Sequence, residues 1–187
     1  MLLKKYKMAV IGLILFIAVA APAYGLLDNW AHFENGMKYM KSGDYYRALD
    51  NFNYYLRQPE MHRHMFGVAY FGRGLLYESK KKYGHAVTEY RLAIENDLHP
   101  SVKISDKAYM NTGTIYMERK EYQDAIRAYA AAIERNNRNG LAHYYLGLAY
   151  LRVGDYEQAE KESEEAQKLG VTFTALANEL KKAKGRK

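Results

Sequence analysis

Cysteine is absent from all 187 residues of this chain. That single absence removes a disulfide framework, a thiolate zinc site, a haem-attachment motif and a lipobox for a lipid anchor. Catalytic signatures are missing as well: there is no G-x-S-x-G nucleophile turn, no H-E-x-x-H, no P-loop and no glycine-rich dinucleotide turn. Gly72 and Gly74 form a lone pair inside a helical pattern, and carboxylates such as Glu157, Glu160, Glu164 and Glu165 fall on polar faces. With basic residues at helical spacing, Glu157–Lys161 and Glu164–Lys168 read as solvated i,i+4 pairs. The sequence points away from an enzyme and offers no cofactor site.

A basic stripe is also lacking. The net charge is +7, yet Lys4, Lys5 and Lys7 stand at one end, and Lys181, Lys182, Lys184, Arg186 and Lys187 at the other, with no acid in either segment. The body between is close to neutral. No surface is left to neutralise a run of phosphates, so nucleic acid drops out as a partner.

What is present begins with an address. Lys4-Lys5-Tyr6-Lys7 precedes an uncharged apolar run from Met8 to Ala20, followed by small residues and Pro22. This is the grammar of a secretory signal, with Ala21-Pro22-Ala23 as an A-x-A site in residues 1–23 and Ala23-Tyr24-Gly25 as a second. The competing reading is an uncleaved anchor, because no charge occurs across residues 8–27, about 20 residues and the length of a bilayer span. Either way the lysines stay inside, and the remainder is expected in the periplasm or on the extracytoplasmic face of the membrane.

The body repeats itself. Gly and Tyr stand three residues apart, with a Tyr-x-x-Ala after them, at Gly36/Tyr39/Tyr45/Ala48, Gly74/Tyr77/Tyr83/Ala86, Gly113/Tyr116/Tyr122/Ala125 and Gly147/Tyr150/Tyr156/Ala159. Recurrence of this kind means stacked supersecondary units. Apolar and small residues at three- and four-residue spacing, as in Leu141, Tyr144, Tyr145, Leu148 and Leu151, predict two helices per unit. Turns are predicted at Ser42-Gly43-Asp44, Lys81-Lys82, Lys120-Glu121 and Gly154-Asp155, where Gly suits a helix stop and Asp an N-cap. The glycine and alanine columns predict a close approach of two helix backbones.

These columns resemble tetratricopeptide repeats over residues 29–173, with units at 29–62, 67–100, 106–139 and 140–173. Ala93, Ala132 and Ala166, and the aromatic column of Phe52, Tyr90 and Tyr129, carry the same resemblance. It implies an all-α fold, a right-handed α-solenoid of four helix-turn-helix units. Residues 174–187 would supply a capping helix, announced by Phe173, Leu176, Ala177 and Leu180, and a basic tail. Departures make the first two units less regular than the last two. Tyr55 stands in the Ala93 column, Ser163 breaks the aromatic column, and Asn35 and Arg73 replace a leucine. His32 and His143 share a column with Tyr70 and Tyr109 and read as packing residues.

The resemblance also implies a groove lined by the first helix of each unit. Carried over residue by residue, its columns hold Trp30, Phe33, Met37 and Met40, then Val68, Phe71 and Leu75, then Lys107, Met110 and Met117, then Leu141, Tyr144, Leu148 and Leu151. Glu78, Thr114 and Glu118 share those columns. Relatives that dock chaperone tails clamp a terminal carboxylate with Lys, Asn and Arg; here Phe33, Met37 and Gly72 occupy such columns and only Lys107 and Asn111 remain compatible. What is left is an apolar trough for a helix or extended segment of a protein partner. The competing reading is that these residues are core, or that the last helix or the amino-terminal segment folds into the trough.

One junction stands apart: Met61-His62-Arg63-His64-Met65 puts two imidazoles and two thioethers together, ligand types that suit copper if the segment is a loop. Ordinary junction packing competes with that reading. The sequence therefore describes a non-catalytic adaptor or scaffold in the cell envelope that holds an apolar segment of a protein partner and supports assembly of a complex. A self-assembling homo-oligomer is the first alternative, a Met/His copper-binding envelope protein the second, and membrane association would run through residues 8–27.

Overall fold

Every described element of the chain is an α-helix, and the computed structural model describes residues 31–57, 65–98, 104–171 and 174–184. Two compact units partition the chain, Met1–Arg63 and His64–Lys187. The first holds α1 (residues 31–42) and α2 (Tyr45–Leu56). The second holds α3 (Phe66–Ser79), α4 (Tyr83–Glu95), α5 (Ser105–Glu118), α6 (Tyr122–Arg135), α7 (Gly140–Val153), α8 (Tyr156–Lys168) and α9 (Thr174–Lys184). Within it the helices pair as α3 with α4, α5 with α6 and α7 with α8, and α4 lies against α5 and α6 against α7. This is the all-α solenoid that the repeats imply. Trp30, Met61, His62, His64 and Phe173 lie outside the described residues, as do the amino-terminal signal or anchor and the end of the basic tail. Among the described residues, no helix is long and apolar enough to cross a membrane.

Each second helix opens on its recurring tyrosine, Tyr45, Tyr83, Tyr122 or Tyr156. The preceding turn is the same hydrogen-bonded closure four times. The N–H of Asp44, Lys82, Glu121 and Asp155 donates to the carbonyl of Tyr39, Tyr77, Tyr116 and Tyr150, at 3.0, 2.9, 2.8 and 3.0 Å. Such a closure puts one residue in the left-handed region. Gly43 (φ 77°) and Gly154 (φ 82°) meet that need cheaply, whereas Lys81 (φ 56°) and Lys120 (φ 61°) meet it with a side chain present. Asp44 and Asp155 cap the following helices by accepting from the N–H of Arg47 and Gln158, each at 3.2 Å. Lys82 and Glu121, in the same place, make no such cap.

The glycine column makes room for more than the helix backbone that the spacing suggests. A Cβ on Gly36 would lie 2.8 Å from the Phe52 ring, one on Gly113 2.6 Å from the Tyr129 ring, and one on Gly74 would collide with the Tyr90 ring. In these three pairs Gly makes room for the aromatic ring of the partner helix, and in the last pair a Cβ on Gly147 would also lie 3.2 Å from the Ala159 carbonyl oxygen of the partner backbone. Phe52, Tyr90 and Tyr129 are fully buried, as are the column alanines Ala48, Ala86, Ala125 and Ala159. In the last pair Ser163 stands in the aromatic column, buried, and leaves the space beside Gly147 open. Leu176 of α9 fills it, its methyl 2.8 Å from where a Cβ on Gly147 would be. Leu176 and Leu180 are buried against Ala159, with Tyr144, Leu148, Tyr150, Leu151 and Tyr156 packed around them.

One ion pair expected from the sequence shifts by a residue. Lys168 bonds Glu165, at i,i+3 and 2.7 Å, in place of Glu164.

Candidate functional site

The candidate trough residues separate by environment. In the first unit Phe33 is core: it is 6% exposed, its ring 5.2 Å from Tyr55 and 6.2 Å from Phe52. Tyr55, in place of the usual alanine, fills that core. Met37 and Met40 are half-buried, and Met37 lines a shallow recess on α1 with Glu34, Lys38, Lys41 and Ser42.

In the second unit Val68, Phe71 and Leu75 are half-buried on α3 and lean on a core of Ala86, Tyr90, Ala93, Ile104, Ala108 and Ile115. Phe71 lies 5.5 Å from the Tyr90 ring. Met110 and Met117 on α5 lean in the same way on Ala125, Tyr129, Leu146 and Ala149. Tyr144, Leu148 and Leu151 on α7 pack against Leu176 and Leu180, so the terminal helix takes part of their surface. Leu141 stays 44% exposed. Lys107 lines a polar recess with Ile94, Asp97, Ser105, Asp106, Arg135 and Asn136. Asp97 caps the start of α5 there, accepting from the N–H groups of Ile104 and Ser105 and from the Ser105 hydroxyl at 2.6 Å.

The second clamp-compatible residue, Asn111, is also committed. Its Nδ2 donates to the Tyr90 hydroxyl at 3.1 Å, and that hydroxyl donates to Glu78 Oε2. Tyr83, at the start of α4, donates to Glu118 Oε2. Glu78 and Glu118 thus end α3 and α5 on one recess, shared with Leu75, Ser79, Lys81 and Tyr83. Burial raises the pKa of Glu78 above the ordinary carboxylate value, the Tyr90 hydrogen bond opposes it, and the Glu118 charge adds to the rise. The Tyr90 phenol is pushed far up, first by burial and then by Glu78. Tyr129, whose hydroxyl lies 3.3 Å from Thr114 Oγ1, is pushed up to about 12 by burial.

Arg73 resolves another departure. Its Nη2 donates to Glu89 Oε1 at 2.7 Å, with the two side chains 20% and 8% exposed, and its guanidinium stands 5.8 Å from the Tyr70 ring centre. Arg73 Nε and Glu89 Oε2 are buried without a hydrogen-bond partner. Burial raises the Glu89 pKa, and Arg73 pulls it back. The sequence signal for this pair was a charge in an apolar column, answered by an acid beside the buried Tyr90.

His32 and His143 join their own helix pairs, His32 Nδ1 lying 2.8 Å from Asn51 Oδ1 and His143 Nδ1 2.6 Å from Glu162 Oε2. Met65, the described member of the Met/His junction, is buried at the start of α3. Among the described residues no group of three or more His, Asp or Glu could hold a metal ion.

Family models described as tetratricopeptide repeat match residues 68–99 and 110–170. Solved structures agree on the fold. A tetratricopeptide repeat protein from Parabacteroides merdae is 18% identical with a TM-score of 0.72, over 84% of this chain and 60% of that one. MamA from Desulfovibrio magneticus RS-1 is 18% identical with a TM-score of 0.68, over 84% of each chain. The first such domain of Spaghetti (RPAP3), bound to the HSP90 peptide SRMEEVD, is 21% identical with a TM-score of 0.56, over 64% of this chain and 91% of that one. A comparison with curated protein sequences gives no match.

Proposed function

Because the chain belongs to the tetratricopeptide repeat family, we propose that it is a scaffold holding an apolar segment of a protein partner along the first helices α3, α5 and α7, in the cell envelope outside the cytoplasmic membrane. Repeats of this family serve protein–protein interaction and are generally non-catalytic. One observation carries the reading: Val68, Phe71, Leu75, Met110 and Met117 keep part of their apolar surface in solvent after the core is built. Complete burial of such a side chain is worth ~1.5–3 kcal/mol. These are already half-covered, so each contributes less, and a stable complex needs several anchors at once. The peptide bound to the related Spaghetti domain supports a peptide segment as the guest. Export rests on Lys4, Lys5 and Lys7 preceding the apolar stretch from Met8.

The test places a photo-crosslinking amino acid at Leu75 or Leu141 in the full chain, with Arg91 and Arg127 on second helices as controls. Adducts formed in the native envelope are identified by mass spectrometry and rebuilt from purified components. Capture at Leu75 and Leu141 alone, with the rebuilt complex lost in Leu75→Glu, supports the reading. Equal capture from the second helices, or unchanged binding by a folded Leu75→Glu variant, overturns it. The same spectra read the mature amino terminus, and a chain found only in the cytoplasm sinks the proposed location.

A further inference from the structure

We propose that the segment held in this trough carries a lysine or arginine that seats between Glu78 and Glu118, with apolar residues on either side. The proposal rests on the trough being the binding surface and adds the chemistry of its guest.

The two carboxylates come from the last turns of successive first helices and meet on one recess whose apolar member is Leu75. Each is held by one oxygen, Oε2, through a tyrosine: Tyr90 for Glu78 and Tyr83 for Glu118. Tyr90 is itself fully buried and receives Asn111 from α5. The phenols therefore fix both carboxylates from the protein side, leaving Oε1 of each as an acceptor for a guest. Among the described residues no lysine or arginine forms an ion pair with either acid, Lys81 of the same recess included. Several acids on neighbouring elements do have a cation, as in Arg73–Glu89, Arg91–Glu95, Arg119–Glu121 and Arg152–Glu179. An ammonium or guanidinium would bring the opposite charge to this like-charge pair, with Leu75 beside it.

The same geometry turns away an acidic tail of the kind bound by the Spaghetti domain. A carboxylate entering beside Leu75 meets two fixed negative charges. Of the residues that would have clamped it, Asn111 is committed to Tyr90, and Lys107 lines the recess that also holds Asp97 and Asp106.

The experiment uses the full chain in mild detergent and fluorescent peptides with a Leu-x-x-Leu-Leu frame that differ at one central position, Lys, Arg, norleucine or Glu. Fluorescence anisotropy is expected to rank Lys and Arg about tenfold above norleucine, with Glu weakest and added salt shrinking the gap. In the double variant Glu78→Gln/Glu118→Gln, which keeps an acceptor for each tyrosine, Lys and Arg peptides should fall to the norleucine level while norleucine is unchanged. A Glu peptide as tight as the Lys peptide, or a preference that survives the double variant, overturns the proposal and leaves the trough reading standing. Failure of every peptide to bind overturns both. Self-association of the chain that the double variant abolishes, measured by sedimentation, overturns the separate partner in favour of a second copy and its basic end.

Discussion

Leu176 of the terminal helix closes on Gly147 of α7 so tightly that one added methyl group there would lie 2.8 Å from its side chain. In the preceding pairs a ring from the second helix does the same work. Ser163 in the ring's column is what admits Leu176, so the serine and the terminal helix form one structural solution.

Exchanging these parts should show their dependence. Leu176→Ala removes a fully buried side chain and is expected to cost ~2–5 kcal/mol in chemical denaturation. Ser163→Tyr should destabilise the complete chain, because the ring competes for the space Leu176 occupies. In a chain truncated after residue 171 the same substitution should raise the melting temperature. A Ser163→Tyr variant that stabilises both forms would refute the exchange.

Two glycines on helices should respond oppositely to the same methyl group. Gly113→Ala pushes into the buried Tyr129 ring at 2.6 Å and should cost ~1–3 kcal/mol by urea titration. Gly84, on α4, has nothing within 4 Å of an added Cβ, so Gly84→Ala should stabilise by ~0.5–1 kcal/mol through helix entropy.

The buried pair of Arg73 and Glu89 should be costly to split and cheap to delete. Glu89→Ala leaves a guanidinium that is only 20% exposed without its carboxylate. The expected loss is ~2–3 kcal/mol, below the range for a fully buried pair. Replacing both by leucine should recover most of it. A double-mutant cycle with no coupling between the two positions would remove the argument.

Glu78 gives a pH dependence with a defined sign. Its proton affinity is higher in the folded chain than the ordinary carboxylate value of 4.5, through burial and the Glu118 charge. The folded state therefore holds the proton longer than the unfolded one, and stability is lost as pH rises from about 4.5 through the raised folded value. Glu78→Gln should melt like the wild type at pH 3.5 and higher than the wild type at pH 7. A difference that is the same at both pH values would contradict the assigned cause.

The two lysines in left-handed turns carry a small, removable strain. Lys81→Gly and Lys120→Gly should each stabilise by ~0.5–1 kcal/mol, since glycine adopts φ 56° and 61° without a Cβ contact. Gly154→Lys should cost a similar amount, measured by thermal unfolding.

Much of the fold was legible because the repeat samples one environment four times. The recurrence of Tyr45, Tyr83, Tyr122 and Tyr156 marks helix starts, and the turn before each was readable from Gly-Asp in two copies. In the other two copies lysine stands where glycine is favoured, and the hydrogen-bonded closure enforces the same backbone against local preference. The backbone approach expected from the glycine column is present at Gly147, beside the Ala159 carbonyl, but the rings beside Gly36, Gly74 and Gly113 were not legible, since spacing alone does not distinguish a neighbouring backbone from a neighbouring ring.

The candidate site was legible only in outline. Column matching grouped Leu75, Met110 and Met117, which stay half-buried, with Phe33, whose ring lies in the core with Tyr55. It also grouped Lys107 with the trough, and at the start of α5 this lysine lines a recess with Asp97 and Asp106. Glu78 and Glu118 lie in different columns of different repeats. Their meeting on one recess, and the tyrosines that fix them, depend on how successive pairs stack.

The sequence by itself determined the helix pairs, their turns and the small-residue columns, because these follow from periodicity and backbone chemistry acting over a few residues. Tertiary structure alone decided what fills each gap beside a glycine, which apolar side chains stay partly open, and where two carboxylates come together. Those outcomes depend on distances between residues far apart in the chain, and a one-dimensional pattern carries no such distances.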